Sequence, residues 1–281
     1  MKSLKIAFLI IFCSLISRGW YHAKNGFSLS SIETNLQGNP DLAGTLPPED
    51  ALMLTYSYLG RGRQCYAFAS SDGRYVLKLP RYDRTHLPLW LKSLPWLKRM
   101  RQRKMQKCTA KNQFFHASLR LANEKLKKET GLIYLHLDPT THLKRSIKIQ
   151  NRLSQTYFIP LDTTAFAIQE KAPLMIPALQ REIEKKNAME AKKILRSFLR
   201  LIQDQAEKGV CNVDTSISKN FAIQKGTGLE IDLGSFYQPI NQEESIQSIK
   251  QMTSKLKSWL DKKDPDLALW FASEAASIYE N

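Results

Sequence analysis

Asn212-Val213-Asp214-Thr215-Ser216-Ile217-Ser218-Lys219-Asn220-Phe221 decides the reading of this chain, together with Leu229-Glu230-Ile231-Asp232-Leu233-Gly234 shortly after it. An aspartate and an asparagine share a polar loop. An apolar strand follows and ends in Asp-x-Gly. That order sets a candidate base, Asp214, ahead of two hard-oxygen ligands, Asn220 and Asp232, of the kind magnesium takes. A base with two magnesium ligands suits phosphoryl transfer, which needs a nucleotide site upstream.

Residues 54–59, 64–69 and 74–80 read as three strands of an antiparallel meander, with Gly60-Arg61-Gly62 and Ser70-Ser71-Asp72-Gly73 at the turns. Gly60 and Gly62 let a backbone approach phosphate oxygens closely, though a hairpin also uses glycine for its own turn. Lys78, in Val76-Leu77-Lys78-Leu79, reads either as a cation for nucleotide phosphates or as a solvent-facing strand lysine. A buried lysine needs a carboxylate. Residues 117–129 read as a helix with Leu119, Ala122 and Leu126 on one face. Glu129 shares that face, Leu132 and Ile133 continue it, and Glu124 lies nearly opposite as the alternative partner. Further strands are expected at 146–150, 156–160 and 166–169, and helices at 189–207, 243–260 and 264–279. This is an α+β order with a strand-rich front half and a helical back half.

Gly60-x-Gly62, Lys78, a helix with Glu129, Asp214 with Asn220, and Asp232-Leu233-Gly234 follow one another in the order of the protein-kinase signature set. From residue 56 to residue 236 the chain resembles the protein-kinase-like superfamily in a minimal, divergent form. The resemblance implies a bilobal fold, with a β-rich N-lobe over residues 51–172 and a reduced helical C-lobe over 173–281, clasping ATP. It implies that Gly60 and Gly62 cover the phosphates and that Lys78, steadied by Glu129, holds them. Gln169, Glu170, Lys171 and Ala172 would form the hinge that meets adenine. Asp214 would accept the proton of the attacking hydroxyl, and Asn220 and Asp232 would ligate Mg. The chain departs from the motif in several places. Cys65 stands for the third glycine, Asn212-Val213 for His-Arg, and Leu233 for Phe; Asn220 follows Asp214 by six positions instead of five. No Ala-Pro-Glu follows, which argues against a protein substrate. The same departures define the alternative reading, a catalytically inactive kinase-like module that binds partners at a membrane.

The 281 residues, 43% of them hydrophobic, suffice for one large domain or two lobes, and a net charge of +16 favours anionic partners. Residues 81–111 hold ten Lys or Arg against Asp83 alone, interleaved with Trp90 and Trp96. Basic charge with Trp and Leu suits an anionic membrane surface, and nucleic acid ranks below it as a partner. A solvated basic loop whose tryptophans pack on the core is the plainer reading. Residues 1–20 join a basic start to a short apolar run, an expected signal or anchor segment, and 21–50 read as a linker. The basic flank at 18–24 favours a membrane-associated protein with a cytoplasmic body; export is the alternative. Cys13, Cys65, Cys108 and Cys211 form no C-x-x-C pair and match no zinc spacing, so reduced thiols are expected.

Overall fold

Strand alternation puts Leu77 and Leu79 into a core and turns Lys78 to the other face of the same strand in a computed structural model, which describes residues 12, 19, 25–32, 36, 46–81 and 98–279. The chain divides into two compact units, Met1–Cys108 with Tyr134–Ile168, and Thr109–Ile133 with Gln169–Asn281. Most of the expected anchor at 1–20 and residues 82–97 of the basic insert lie outside the described residues. Among the described residues no helix is long and apolar enough to cross a membrane.

The first unit is built on a mixed sheet. Strands β1 (Thr55–Arg61), β2 (Cys65–Ser70) and β3 (Tyr75–Pro80) form the expected antiparallel meander. With β4 (Leu132–His136), β5 (Ser146–Gln150), β6 (Thr156–Pro160) and β7 (Phe166–Glu170), the seven strands run in the order β4-β7-β3-β2-β1-β5-β6. β5 joins β1 in parallel and pairs with β6 antiparallel. Tyr56, Tyr66, Phe68, Leu77, Leu79, Ile147 and Ile149 are sealed inside. Phe27, within the stretch expected as a linker, adds its ring to this core, 5.2 Å from the Tyr66 ring and 5.5 Å from that of Phe68. The Tyr66 hydroxyl donates to the Gly26 carbonyl at 2.9 Å. A second buried group sits at the end of β4. There His136 Nδ1 meets the Thr164 carbonyl at 2.9 Å, and the ring stacks on Phe166.

In the second unit the order is helical. Helix α1 (Lys98–Lys125) starts inside the basic insert and is far longer than the sequence indicated. Only its later turns bury a face, at Phe115, Ser118, Leu119 and Ala122, with Leu126 just beyond. The one-turn α2 (Lys127–Thr130) follows and is closed by Gly131 in the left-handed conformation, φ 61°. That glycine is why Leu132 and Ile133 begin β4 and do not extend the helix face. Helix α3 (Met175–Glu184) has no counterpart in the sequence reading; Pro177 lies in its first turn, where a missing N–H costs nothing. Helix α4 (Ala188–Glu207) is capped by the Asn187 side chain, which accepts the Glu190 N–H, and buries Ile194, Leu195, Phe198, Leu201 and Ile202.

Strand β8 (Cys211–Asn212), the single turn α5 (Ile217–Asn220), β9 (Phe221–Gln224), β10 (Thr227–Glu230) and β11 (Phe236–Tyr237) come next, then α6 (Gln242–Leu260) and α7 (Pro265–Tyr279). Leu195, Phe198, Ile202, Phe221, Leu256, Leu260 and Phe271 share one core. Each large apolar side chain buried there contributes roughly 1.5–3 kcal/mol. The β9–β10 hairpin lies directly on α4. A Cβ at Gly228 would fall 2.7 Å from the Ser197 carbonyl oxygen, so this contact demands glycine. The architecture is α+β, as the element order indicated, and residues 109–133 count with the helical unit.

Candidate functional site

Strand register sets the candidate groups of the first unit in a row. Gly60 pairs with Ala67 across β1 and β2, and Ala67 pairs with Lys78 across β2 and β3. Directly opposed residues share a face. This is the face away from Tyr66 and Phe68, and β2 lines it with the small side chains of Cys65, Ala67 and Ala69. Gly60 follows an irregularity in the β1–β2 register, and Gly62 N–H donates to the Cys65 carbonyl at 2.9 Å. Neither glycine is demanded by the hairpin. A Cβ at Gly60 would meet nothing within 4 Å, and one at Gly62 would sit 3.6 Å from the Cys65 oxygen.

Two short ladders in the second unit hold the loop of Asp214. At one end Asn212 pairs with Phe236, and Val213 N–H donates to the Ser235 carbonyl at 2.9 Å. At the other end Phe221 pairs with Glu230, and Ile231 N–H donates to the Asn220 carbonyl at 2.7 Å. The segments carrying Asp214, Asn220 and Asp232 are therefore stitched together from both sides. Within the loop, Asp214 Oδ1 accepts the Ser216 N–H at 3.1 Å, and Asn220 Nδ2 donates to the Asp214 carbonyl at 3.2 Å. The six-residue spacing is taken up by the single turn α5, which returns the Asn220 amide to Asp214. Asp232 Oδ1 accepts the Gly234 N–H at 3.2 Å, which fixes its carboxylate as the chain leaves β10. Leu233 is buried behind it. The Ser118 hydroxyl donates to the Leu233 carbonyl at 2.6 Å and accepts the Phe236 N–H at 2.7 Å, so α1 clamps the Asp-Leu-Gly segment.

Below this loop lies a carboxyl group that the sequence reading passed over. Glu230 is fully buried; Asn212 Nδ2 donates to its Oε1 at 2.5 Å and Gln205 Nε2 to its Oε2 at 2.8 Å. Burial pushes the Glu230 carboxyl up to about 8, the nearby charges of Asp232 and Asp214 add to the rise, and the two amide donors oppose it. Asn212 also accepts the Asp214 N–H on its Oδ1 at 2.7 Å. Two signals for this group were present in the sequence. Glu230 stands two places before Asp232 in an apolar strand, and Gln205 falls at helical spacing from Phe198 and Leu201 on the buried face of α4.

Glu129 lies on α2: Lys208 Nζ sits 2.6 Å from Oε1, and the buried Oε2 has no hydrogen-bond partner among the described residues. Glu124 lies in the last turns of α1. Gln169 is buried and spends its side-chain amide on the Thr130 carbonyl at 2.8 Å, the Glu170 N–H donates to the Gly131 carbonyl at 2.8 Å, and Lys171 is exposed. Lys255, from α6, reaches the Thr215 hydroxyl beside Asp214. Among the described residues no three His, Cys, Asp or Glu side chains are grouped to hold a metal ion. Among the described residues the ligands on offer are Asn220 Oδ1, the amide nitrogen being the engaged atom, and the second oxygen of Asp232. Few protein oxygens, completed by water and phosphate, fit magnesium better than a metal needing a full protein cage.

No protein-family model matches the chain, and no curated protein does. Among solved structures it is similar to a crystal structure of WbdD, at 15% identity and a TM-score of 0.39, over 76% of this chain and 44% of that one. It is likewise similar to a co-crystal structure of WbdD and the kinase inhibitor LY294002, at 15% identity and a TM-score of 0.34, over 78% of this chain and 45% of that one. The chain spans less than half the length of the WbdD chains it is similar to.

Proposed function

We propose that this chain is a kinase-like phosphotransferase that uses ATP and magnesium. The observation that carries the reading is the closed loop in which Asn220 ties its amide nitrogen to the Asp214 carbonyl and keeps its Oδ1 for a cation, beside a segment that fixes Asp232. Asp214 accepts the proton of the attacking hydroxyl. Asn220 Oδ1 and Asp232 would hold the ion. Magnesium, when bound, neutralises charge on phosphate oxygens. Lys78 supplies a cation to the phosphates, and Gly60 and Gly62 let the β1–β2 turn approach them. The absence of any steric need for those glycines in the hairpin supports a ligand-side reason for them. Residues 169–172 remain the proposed adenine contact through their backbone. The test is transfer or release of phosphate from γ-labelled ATP by the purified chain. Turnover that Asp214→Ala abolishes is the expected result; turnover that survives in Asp214→Ala contradicts the assignment.

The basic insert at 81–111 is proposed to rest on an anionic membrane surface, with the body in the cytoplasm where ATP is available. The first turns of α1 support this. Arg99, Arg103, Lys104, Lys107 and Lys111 are exposed there, with Met100 and Met105 exposed among them. Each such cation near an anionic surface contributes at most ~1 kcal/mol, so several act together. Co-sedimentation with phosphatidylserine vesicles at low salt, lost with neutral vesicles, is the expected outcome. Equal binding to both removes the electrostatic account.

A further inference from the structure

Gln205, Glu230 and Asn212 form a buried polar chain that ends on the main chain of Asp214. All three side chains are at most 3% exposed. A buried carboxyl group is costly, and an apolar residue of similar volume would ordinarily serve packing as well. Here both carboxyl oxygens are used, one by Gln205 on α4 and one by Asn212 on β8. The Asn212 amide has a single workable orientation. Turned over, it would set its NH2 group against the Asp214 N–H and give up its donation to Glu230. Glu230 on one side and the Asp214 N–H on the other fix which way Asn212 faces, and through Asn212 the Asp214 peptide is tied to the buried acid.

We infer that Glu230 and Asn212 are positioning residues for Asp214: the buried acid orients the Asn212 amide, and that amide holds the Asp214 peptide so that the aspartate side chain keeps one direction. The inference rests on the reading of Asp214 as the base. It gives a purpose to Asn212, which stands where the resembled motif carries His. Gln205 anchors the far end to α4, so the loop is referenced to the core of the second unit.

Hydrogen exchange of the full chain, followed by mass spectrometry over residues 211–216, tests this without requiring turnover. Asn212→Ala should speed exchange in that segment by roughly 10- to 100-fold, the loss expected when a half-buried N–H loses its acceptor. The pairing of β8 with β11 runs through the main chain and should survive. Glu230→Leu should do the same. Glu230→Gln should stay within about threefold of wild type, because its amide oxygen still accepts from Asn212 while Gln205 turns over to accept from its nitrogen. If Glu230→Leu does not fold, Asn212→Ala and Glu230→Gln still decide the matter. With labelled ATP, Asn212→Ala should lower kcat and leave nucleotide affinity unchanged. Exchange over 211–216 unmoved by Asn212→Ala, or Glu230→Gln as damaging as Glu230→Leu, overturns the inference. Failure of wild type to bind Mg-ATP, with the exchange pattern as expected, would sink the phosphotransferase reading and leave the orienting chain standing.

Discussion

Asn220 donates its side-chain amide to the main-chain carbonyl of Asp214 at 3.2 Å, so the candidate base and a candidate magnesium ligand belong to one closed loop. The bond also orients Asn220. With the nitrogen turned to Asp214, the oxygen is the atom left for a cation. Asn220→Ala removes both functions and should weaken Mg-ATP binding by about tenfold or more, in line with the loss of one charge-assisted contact. Asn220→Asp keeps an oxygen and loses the tie, so it should keep magnesium dependence and lose turnover. Calorimetry with a phosphate-release assay reads both.

Glycines at two places should answer differently to the same substitution. Gly228→Ala forces a Cβ to 2.7 Å from the Ser197 backbone oxygen and should cost about 1–3 kcal/mol of stability, read as a lower urea midpoint. Gly60→Ala meets nothing within 4 Å and should change stability by no more than about 0.5 kcal/mol. Its effect should appear in nucleotide affinity. An unchanged affinity in Gly60→Ala would remove the glycine turn from the site.

Ser118 joins α1 to the Asp232 segment through one hydroxyl that serves two backbone groups. Ser118→Ala leaves the buried Leu233 carbonyl and Phe236 N–H without that partner and should cost roughly 1–3 kcal/mol. Nucleotide affinity should fall with it, since the turn that fixes Asp232 loses its backing. A melt indistinguishable from wild type contradicts the clamp.

His136 gives the fold a pH dependence. Burial holds its imidazole below the ordinary value of 6.5, and the Thr164 carbonyl and Asp162 charge only partly oppose this. The unfolded chain takes up the proton first as pH falls, so stability is fully present above about 6.5 and declines below it. The slope from this one group is at most about 1.4 kcal/mol per pH unit. Urea midpoints from pH 7.5 to 5 should fall in wild type and flatten in His136→Phe, which keeps the stacking on Phe166. An equal decline in both removes His136 as the cause.

The strands and helices with clean periodicity were legible in the sequence. The β1–β3 meander, β5, β6, β7 and the helices α4, α6 and α7 fall where alternation and helical spacing put them. Helix α3 was not read from the sequence; Pro177 lies in its first turn, where a proline is harmless. The start of β4 was hidden because Leu132 and Ile133 continue an apolar helix face, and only the left-handed Gly131 separates the two elements. Asp214, Asn220 and Asp232 were legible as a motif, and the structure stitches their segments together through β8–β11 and β9–β10. The contact of Glu129 with Lys208 joins residues 79 positions apart, which no local pattern reveals. Glu230 escaped for a related reason. Its amide partners are brought in by α4 and β8, 25 and 18 positions away.

The most direct measurement is calorimetric titration of ATP, with and without magnesium, into wild type, Asp232→Ala and Asp214→Ala. Wild type should bind Mg-ATP and prefer it to metal-free ATP by about tenfold or more, Asp232→Ala should lose this preference, and Asp214→Ala should bind as wild type does. No binding of Mg-ATP at millimolar concentration, or full magnesium dependence in Asp232→Ala, would contradict the phosphotransferase reading.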